Sequence, residues 1–233
     1  MSPLFTLLAL VFVANSAETS GAKVILDGRE VSARWSDGDT FSWTDVRGEK
    51  QRARLKGYNT LESFGPVHRW GAWTAAELYT FAKKSGERAR SEVWRCSLVG
   101  ESGGYGRVLV DCPELRRVLI EEGYAHLFEV EDKASPDELA LQRSAIERRR
   151  GIWEKGAPEG LITSVHSAQE GYDVTYDRVC SLDTGRCAKV EHKELYSTCQ
   201  EVCREGSCMI YVPYEERYFG GKRASCLLSQ TTR

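Results

Sequence analysis

Apolar and polar positions alternate loosely from Val24 to Trp35, and the run is broken by Asp27-Gly28, a hairpin signal. Thr40-Phe-Ser-Trp-Thr44 reads as another strand, Arg47-Gly48 as a turn, and Gln51 to Leu55 as a third strand. The pattern predicts a three-stranded meander. The period then lengthens. Ala75, Leu78, Tyr79 and Ala82 follow i, i+3, i+4, i+7, which predicts a helix with one buried stripe. Ahead of it Thr74-Ala-Ala-Glu77 fits a capping box, with Trp73 and Leu78 at the positions of a hydrophobic staple. Trp73 is therefore read as core.

Alternation returns from Val93 to Val99, placing Trp94, Cys96 and Leu98 on one face, and from Arg107 to Cys112, placing Val108, Val110 and Cys112 on one face. Gly-Gly-Tyr-Gly106 joins the two runs, so Cys96 and Cys112 are symmetric about the turn and should face each other across neighbouring strands. A disulfide closing a loop of that size stabilises by about 3 kcal/mol in the chain-entropy picture. Pro113 then opens a helix with Leu115, Val118 and Leu119 as its apolar stripe and Gly123 at its end. Ser135-Pro-Asp-Glu138 caps a third helix, on which Leu139, Ile146 and Trp153 recur every seven residues. Arg148-Arg-Arg150 suits the negative end of that helix dipole, a reading preferred to a nucleic-acid patch. Five strands and three helices make a β-rich α+β domain, compatible with a five-stranded Greek-key barrel of the oligonucleotide-binding (OB) type.

Composition refines this picture at the two ends. Leu4 to Val13 is apolar apart from Thr6 and is followed by Ala14-Asn15-Ser16-Ala17. That run is too short for a comfortable membrane span and has the length of a secretory h-region. Residues 1–17 are expected to be a signal peptide, in preference to a retained anchor or a buried strand. The protein is thus expected to be secreted (extracellular or periplasmic), without stable membrane insertion. Eight cysteines fit export. Six of them, Cys180, Cys187, Cys199, Cys203, Cys208 and Cys226, crowd the last quarter. This sets the expected organisation as a barrel domain over 23–157 and a cysteine-rich module over 160–233. Disulfides are favoured there over zinc, with His192 nearby, because no clean C-x2-C pair is present. The pairing is one of fifteen possibilities.

The net charge is −2, with 23 Lys+Arg against 24 Asp+Glu from Glu18 to Gly160 and 9 against 10 beyond. Neither part carries a global positive field, so any binding of nucleic acid must rest on a local patch or a metal. One such locality stands out. Asp37-Gly38-Asp39-Thr40 and Arg54-Leu-Lys-Gly-Tyr-Asn59-Thr60-Leu-Glu62 bring hard oxygen donors, a potential base and a cation close in sequence. Asp39 can supply a carboxylate, Asn59 a side-chain carbonyl and Thr60 a backbone carbonyl to a divalent cation. Glu62 can act as a base, and Arg54 and Arg107 can hold charge on a phosphoryl group. His68, in the loop after Glu62, is read as a surface or packing residue.

In order and spacing, Asp37-Gly-Asp-Thr40, Arg54-Leu-x-x-x-Asn59-Thr60-x-Glu62, Tyr105-Gly106-Arg107 and Gly151-Ile152-Trp153 resemble the staphylococcal nuclease (thermonuclease-like) family over Val24 to Trp153. The resemblance implies a five-stranded OB barrel and Ca2+-dependent hydrolysis of DNA and/or RNA to leave 3′-phosphates. It implies Arg54 and Arg107 as phosphate-stabilising residues and Glu62 as general base. Asp39, the Asn59 position and the Thr60 carbonyl would be metal ligands, Asp37 a nearby second acid, and Tyr105 a contact to substrate phosphate. The paired Cys96 and Cys112 resemble secreted members of the family.

This chain departs from the pattern. Asn59 stands where the family has a second aspartate, Leu61 where it has proline, and Gly104 where it has lysine. Tyr124, Phe128, Glu129 and Glu131 occupy the region where the family offers base-stacking tyrosines. Weaker calcium binding and a less basic, less aromatic groove are expected. The alternative is a catalytically weak or inactive secreted OB-fold binding module. A third possibility is a surface-interaction protein led by its cysteine-rich end. The chain is expected to act as a monomer.

Overall fold

The computed structural model describes residues 22–63, 65–102, 106–131, 133–217 and 224–228. The leader expected over 1–17 and Tyr105 lie outside these residues. In chain order the strands are β1 (Ala22–Leu26), β2 (Arg29–Trp35), β3 (Thr40–Thr44), β4 (Lys50–Leu55), β5 (Gly57–Thr60) and β6 (His68–Trp70), followed by helix α1 (Ala75–Arg90). Then come β7 (Trp94–Ser102), β8 (Arg107–Asp111), α2 (Pro113–Glu121), β9 (Ala125–Phe128) and α3 (Pro136–Glu147). The cysteine-rich part adds β10 (Gly160–Ser164), β11 (Thr175–Ser181), β12 (Cys187–His192), β13 (Glu201–Arg204), β14 (Ser207–Ile210) and α4 (Ser225–Leu228).

A closed barrel runs β1-β2-β3-β4-β8-β7. It has six strands rather than five because Asp27, with φ 48°, and Gly28, with φ 78°, fold the first run into a true hairpin, pairing Ala22 with Ala33. Two parallel ladders complete the ring, β1 on β7 and β4 on β8. Inward positions alternate as the sequence predicts: Val24, Leu26, Ala33, Trp35, Phe41, Trp43, Ala53, Leu55, Trp94 and Val110 form one buried cluster with Leu115, Leu119 and Ile120 of α2. Leu98, predicted on the inner face, is exposed instead, where the β7–β8 register shifts between Leu98 and Gly100.

Both capping boxes are present, at Thr74/Glu77 and Ser135/Glu138. The Arg148–Arg150 run lies beyond the last turn of α3, with Arg148 as its C-cap and Arg149 at φ 52°. Trp153 therefore belongs to a 3-10 turn rather than to the helix, and it joins Trp70, Trp73, Leu78, Ala82 and Ile152 in a second core under α1. The turn is set by a backbone crossing. Gly151 and Gly123 both have positive φ, a Cβ on either would lie 2.2 Å from a carbonyl oxygen, and Ile152 N–H donates to the Gly123 carbonyl at 2.9 Å.

Four disulfides join Cys96–Cys112, Cys180–Cys187, Cys199–Cys226 and Cys203–Cys208. Every cysteine is thereby oxidised, which removes the thiolates that a zinc site would need. The framework is compatible with an oxidising compartment. No helix among the described residues is long and apolar enough to cross a membrane. The cysteine-rich part begins with β10 at Gly160 and is not a separate bead. Strand β6 leaves the barrel region to pair with β14, giving the sheet β13-β14-β6. Leu161 packs in the second core, and Glu129 exchanges backbone hydrogen bonds with Gly185 and Cys187.

Candidate active site

The site forms where β3 and β4 begin to diverge. Register places Thr40 opposite Arg54, and Leu55 N–H donates to the Asp39 carbonyl at 2.8 Å, so the Asp37-Gly-Asp turn sits directly over Arg54. Gly38 is needed there. A Cβ would lie 2.7 Å from Thr60 Cγ2 and 3.1 Å from Ser85 Cβ, and the small pair Ser85-Gly86 on α1 lets the turn approach the helix. Tyr58 Oη donates to the Gly38 carbonyl at 2.8 Å and pins the turn from below.

Asp39 is buried and fully engaged. Oδ2 accepts from Thr60 N–H at 2.8 Å and from Thr60 Oγ1 at 3.2 Å; Oδ1 accepts from Thr40 Oγ1 at 2.9 Å and is ion-paired with Arg54. Burial pushes this carboxyl up, but the Arg54 charge and the hydrogen bonds outweigh it and hold the group below the usual carboxylate range. Arg54 donates its other terminal nitrogen to Asn59 Oδ1 and to the Tyr58 carbonyl. Asn59 Nδ2 in turn donates to the Thr60 carbonyl at 2.9 Å. The three oxygens assigned to a metal by sequence are thus linked in one hydrogen-bond network, and each already faces a donor of the protein, with the Arg54 guanidinium as the internal cation.

Asp37, Glu62 and Arg107 complete the cluster. Asp37 Oδ1 accepts from Asp39 N–H at 3.1 Å; burial, then repulsion from Asp39 and Glu62, raise its carboxyl well above the ordinary range. Glu62 is pushed up to about 7 by burial and by Asp39, against the opposing pull of Arg54, Arg217 and Arg107. Arg107 opens β8, whose ladder with β4 sets Arg54 opposite Leu109. Side chains two apart share a face, so Arg107 emerges on the same outer face as Arg54. Burial and the neighbouring Arg54 charge lower its affinity for the proton.

Three residues around the cluster complete the picture. The Phe128 ring lies 5.3 Å from Arg54 Cζ and 5.6 Å from Arg178 Cζ, so two guanidinium groups approach it. Of the two readings of His68, surface or packing, the structure shows the second: it is buried on β6. His126, opposite Asn59 on β9, was not singled out by sequence; it too is buried, with Nδ1 2.9 Å from the Leu127 carbonyl. Nor does any sequence motif mark Arg178 or Arg217, which reach the region from the cysteine-rich part. Only the packing of that part against the barrel reveals them. No family model matches the chain, and no curated protein does.

Proposed function

We propose that the protein is a secreted nuclease that hydrolyses phosphodiester bonds of DNA and/or RNA with the help of Ca2+, leaving 3′-phosphates, on an OB-type barrel of the staphylococcal nuclease kind. The barrel reading takes β2, β3, β4, β7 and β8 as the five expected strands, with β1 added as a hairpin partner. The observation that carries the function is the placement of Arg54 and Arg107 on one outer face of β4 and β8, with Glu62, its carboxyl held near neutrality, close enough to feel both charges.

Each residue has a defined task in this reading. A carboxylate titrating near 7 is ionised often enough to take a proton from water and basic enough to gain from doing so. Arg54 and Arg107 would hold the phosphoryl oxygens as negative charge builds on them, a role suited to planar, permanently charged forks. Their partly desolvated surroundings strengthen that attraction. Asp39 keeps Arg54 oriented through a buried ion pair supported by Thr40 and Thr60.

The donor set suits calcium in kind, since Asp39, the Asn59 amide oxygen and the Thr60 carbonyl are all hard oxygens with spare lone pairs. These three residues would hold the ion, which supplies charge neutralisation at the phosphate when bound. With Asn59 the set carries one formal charge fewer than a pair of aspartates would. The second reading, a binding module without turnover, is favoured by one observation: Arg54 and Asn59 already satisfy the ligand oxygens.

Digestion of DNA and RNA across a calcium titration, with a chelator arm and Arg107→Ala as control, separates the two readings. Chelator-sensitive cleavage lost in Arg107→Ala supports the nuclease; retention of nucleic acid without cleavage at any calcium concentration supports the binding module.

A further inference from the structure

The segment that follows Glu62 is part of a sheet. Val67 accepts from Ile210 N–H at 2.9 Å, and β6 pairs His68 with Met209 and Trp70 with Ser207. The chain from Gly65 onward therefore runs antiparallel to the end of β14, and the continuation of β14 through Val212 heads toward Glu62. That continuation is held firmly. Tyr211 N–H donates to the Gln200 carbonyl and Cys199 N–H to the Tyr211 carbonyl, both at 2.8 Å, while Cys199 is bonded to Cys226. Tyr211 Oη donates to Glu170 at 2.7 Å. After Val212 a 3-10 turn, Tyr214–Glu216, folds the chain back, and Arg217 Nε donates to the Val212 carbonyl at 2.8 Å. The guanidinium is thus returned to the strand end beside Glu62.

We infer that Arg217 is a substrate-positioning residue that binds a phosphate flanking the scissile one. This rests on the nuclease reading of the site. Asp37, Asp39 and Glu62 place three carboxyls in the cluster; Glu62 feels Arg54 and Arg107 from the barrel and Arg217 from the cysteine-rich part. The position of Arg217 differs from that of the other two. Arg54 and Arg107 project from the outer face of β4 and β8, whereas Arg217 is carried by the 3-10 turn that follows β14 and also faces Glu170. It therefore approaches Glu62 from the cysteine-rich part, whereas the pair that would grip the reacting phosphate approaches from the barrel strands. A polynucleotide offers another phosphate one nucleotide away, and a half-buried arginine with one nitrogen already anchored presents its remaining donors at little entropic cost.

The test compares Arg217→Ala and Arg217→Lys with Arg186→Ala, which removes the same charge from an exposed site on the cysteine-rich part. Each is assayed on an oligonucleotide and on a dinucleotide with a single phosphodiester. Unchanged melting temperature and near-ultraviolet dichroism establish folding. The expected result is a rise in KM of about tenfold on the oligonucleotide for Arg217→Ala, well beyond its effect on the dinucleotide, with kcat little altered. Arg217→Lys should recover part of the loss, and Arg186→Ala should show no such selectivity. Equal losses on both substrates, or none, overturn the proposal. If the wild type cleaves nothing, the nuclease reading fails by itself. Arg217 is then judged by binding of a fluorescent phosphorothioate oligonucleotide, where equal affinity of wild type and Arg217→Ala overturns it.

Discussion

Arg54 is ion-paired with Asp39, the residue that sequence spacing assigns to a metal. The same guanidinium donates to Asn59, so one cation spans both flanks of the would-be metal position. Replacing Asn59 by Asp adds a full negative charge to the ligand set. Asn59→Asp should lower the calcium concentration for half-maximal cleavage by about tenfold, because affinity at oxygen-ligand sites follows ligand charge. A calcium titration of both proteins measures this, and an unchanged midpoint would show that the position does not touch the ion.

Arg54→Lys keeps the charge but cannot reach Asp39, Asn59 and a phosphate together. Cleavage should fall by roughly a hundredfold or more, chiefly in kcat, as expected for loss of a donor aimed at developing charge. Circular dichroism on the same preparation separates this loss from misfolding.

Glu62 governs two pH dependences of opposite sign. As a base it works ionised, so kcat/KM should rise with pH through about 7 and then level off. For stability the sign reverses. The folded protein holds this proton more tightly than the unfolded chain, so the group costs nothing below about 4.5 and its cost grows until pH passes 7. Glu62→Gln should accordingly be inactive. At pH 8 it should also be more stable than wild type, by up to ~3 kcal/mol, with the difference vanishing near pH 4. Urea unfolding at the two pH values checks the second statement.

His68 and His126 act in the other direction. Burial depresses them to about 3 and about 4, and the first is further lowered by the second. Among the described residues neither ring nitrogen of His68 has a hydrogen-bond partner, nor does Nε2 of His126. Between these values and about 6.5 the unfolded chain binds protons that the folded one refuses, so stability is retained above 6.5 and lost as the pH falls. Each histidine should contribute a slope of roughly 1.4 kcal/mol per pH unit in that window. His68→Leu should flatten the acid limb of the stability profile, whatever it does to the plateau.

The pair Cys96–Cys112 ties β7 to the start of α2. Replacing both by Ser should cost about 3 kcal/mol, read as a lower urea midpoint, while the barrel still folds.

The barrel was legible because period-two alternation and turn residues are local signals, and both capping boxes lie within four residues of chain. Arg54 and Asp39 could be grouped in advance because one ladder, Thr40 opposite Arg54, brings them together, and Glu62 because it follows Arg54 closely in sequence. Other parts of the site depend on contacts between distant segments. Nothing local to Asp37 announces that Ser85-Gly86 makes room for it, and nothing around His126 announces Asn59 as its cross-strand neighbour. Arg217 is the extreme case, since its placement depends on β14 finding β6. The cover on Phe128 is illegible for a related reason: Arg178 arrives on it from β11.

The pairing of β6 with β14 also dictates an order of assembly. As the chain is made from its N-terminus, the hairpin pairs of the barrel form from neighbouring segments, and the ring closes once β7 and β8 reach β1 and β4. The segment after Glu62 has to wait for residues at the opposite end of the chain before its backbone finds a partner. The wall that carries the proposed base thus sets later than the barrel, and the cluster of carboxyls and arginines is completed only once residues through Arg217 are present.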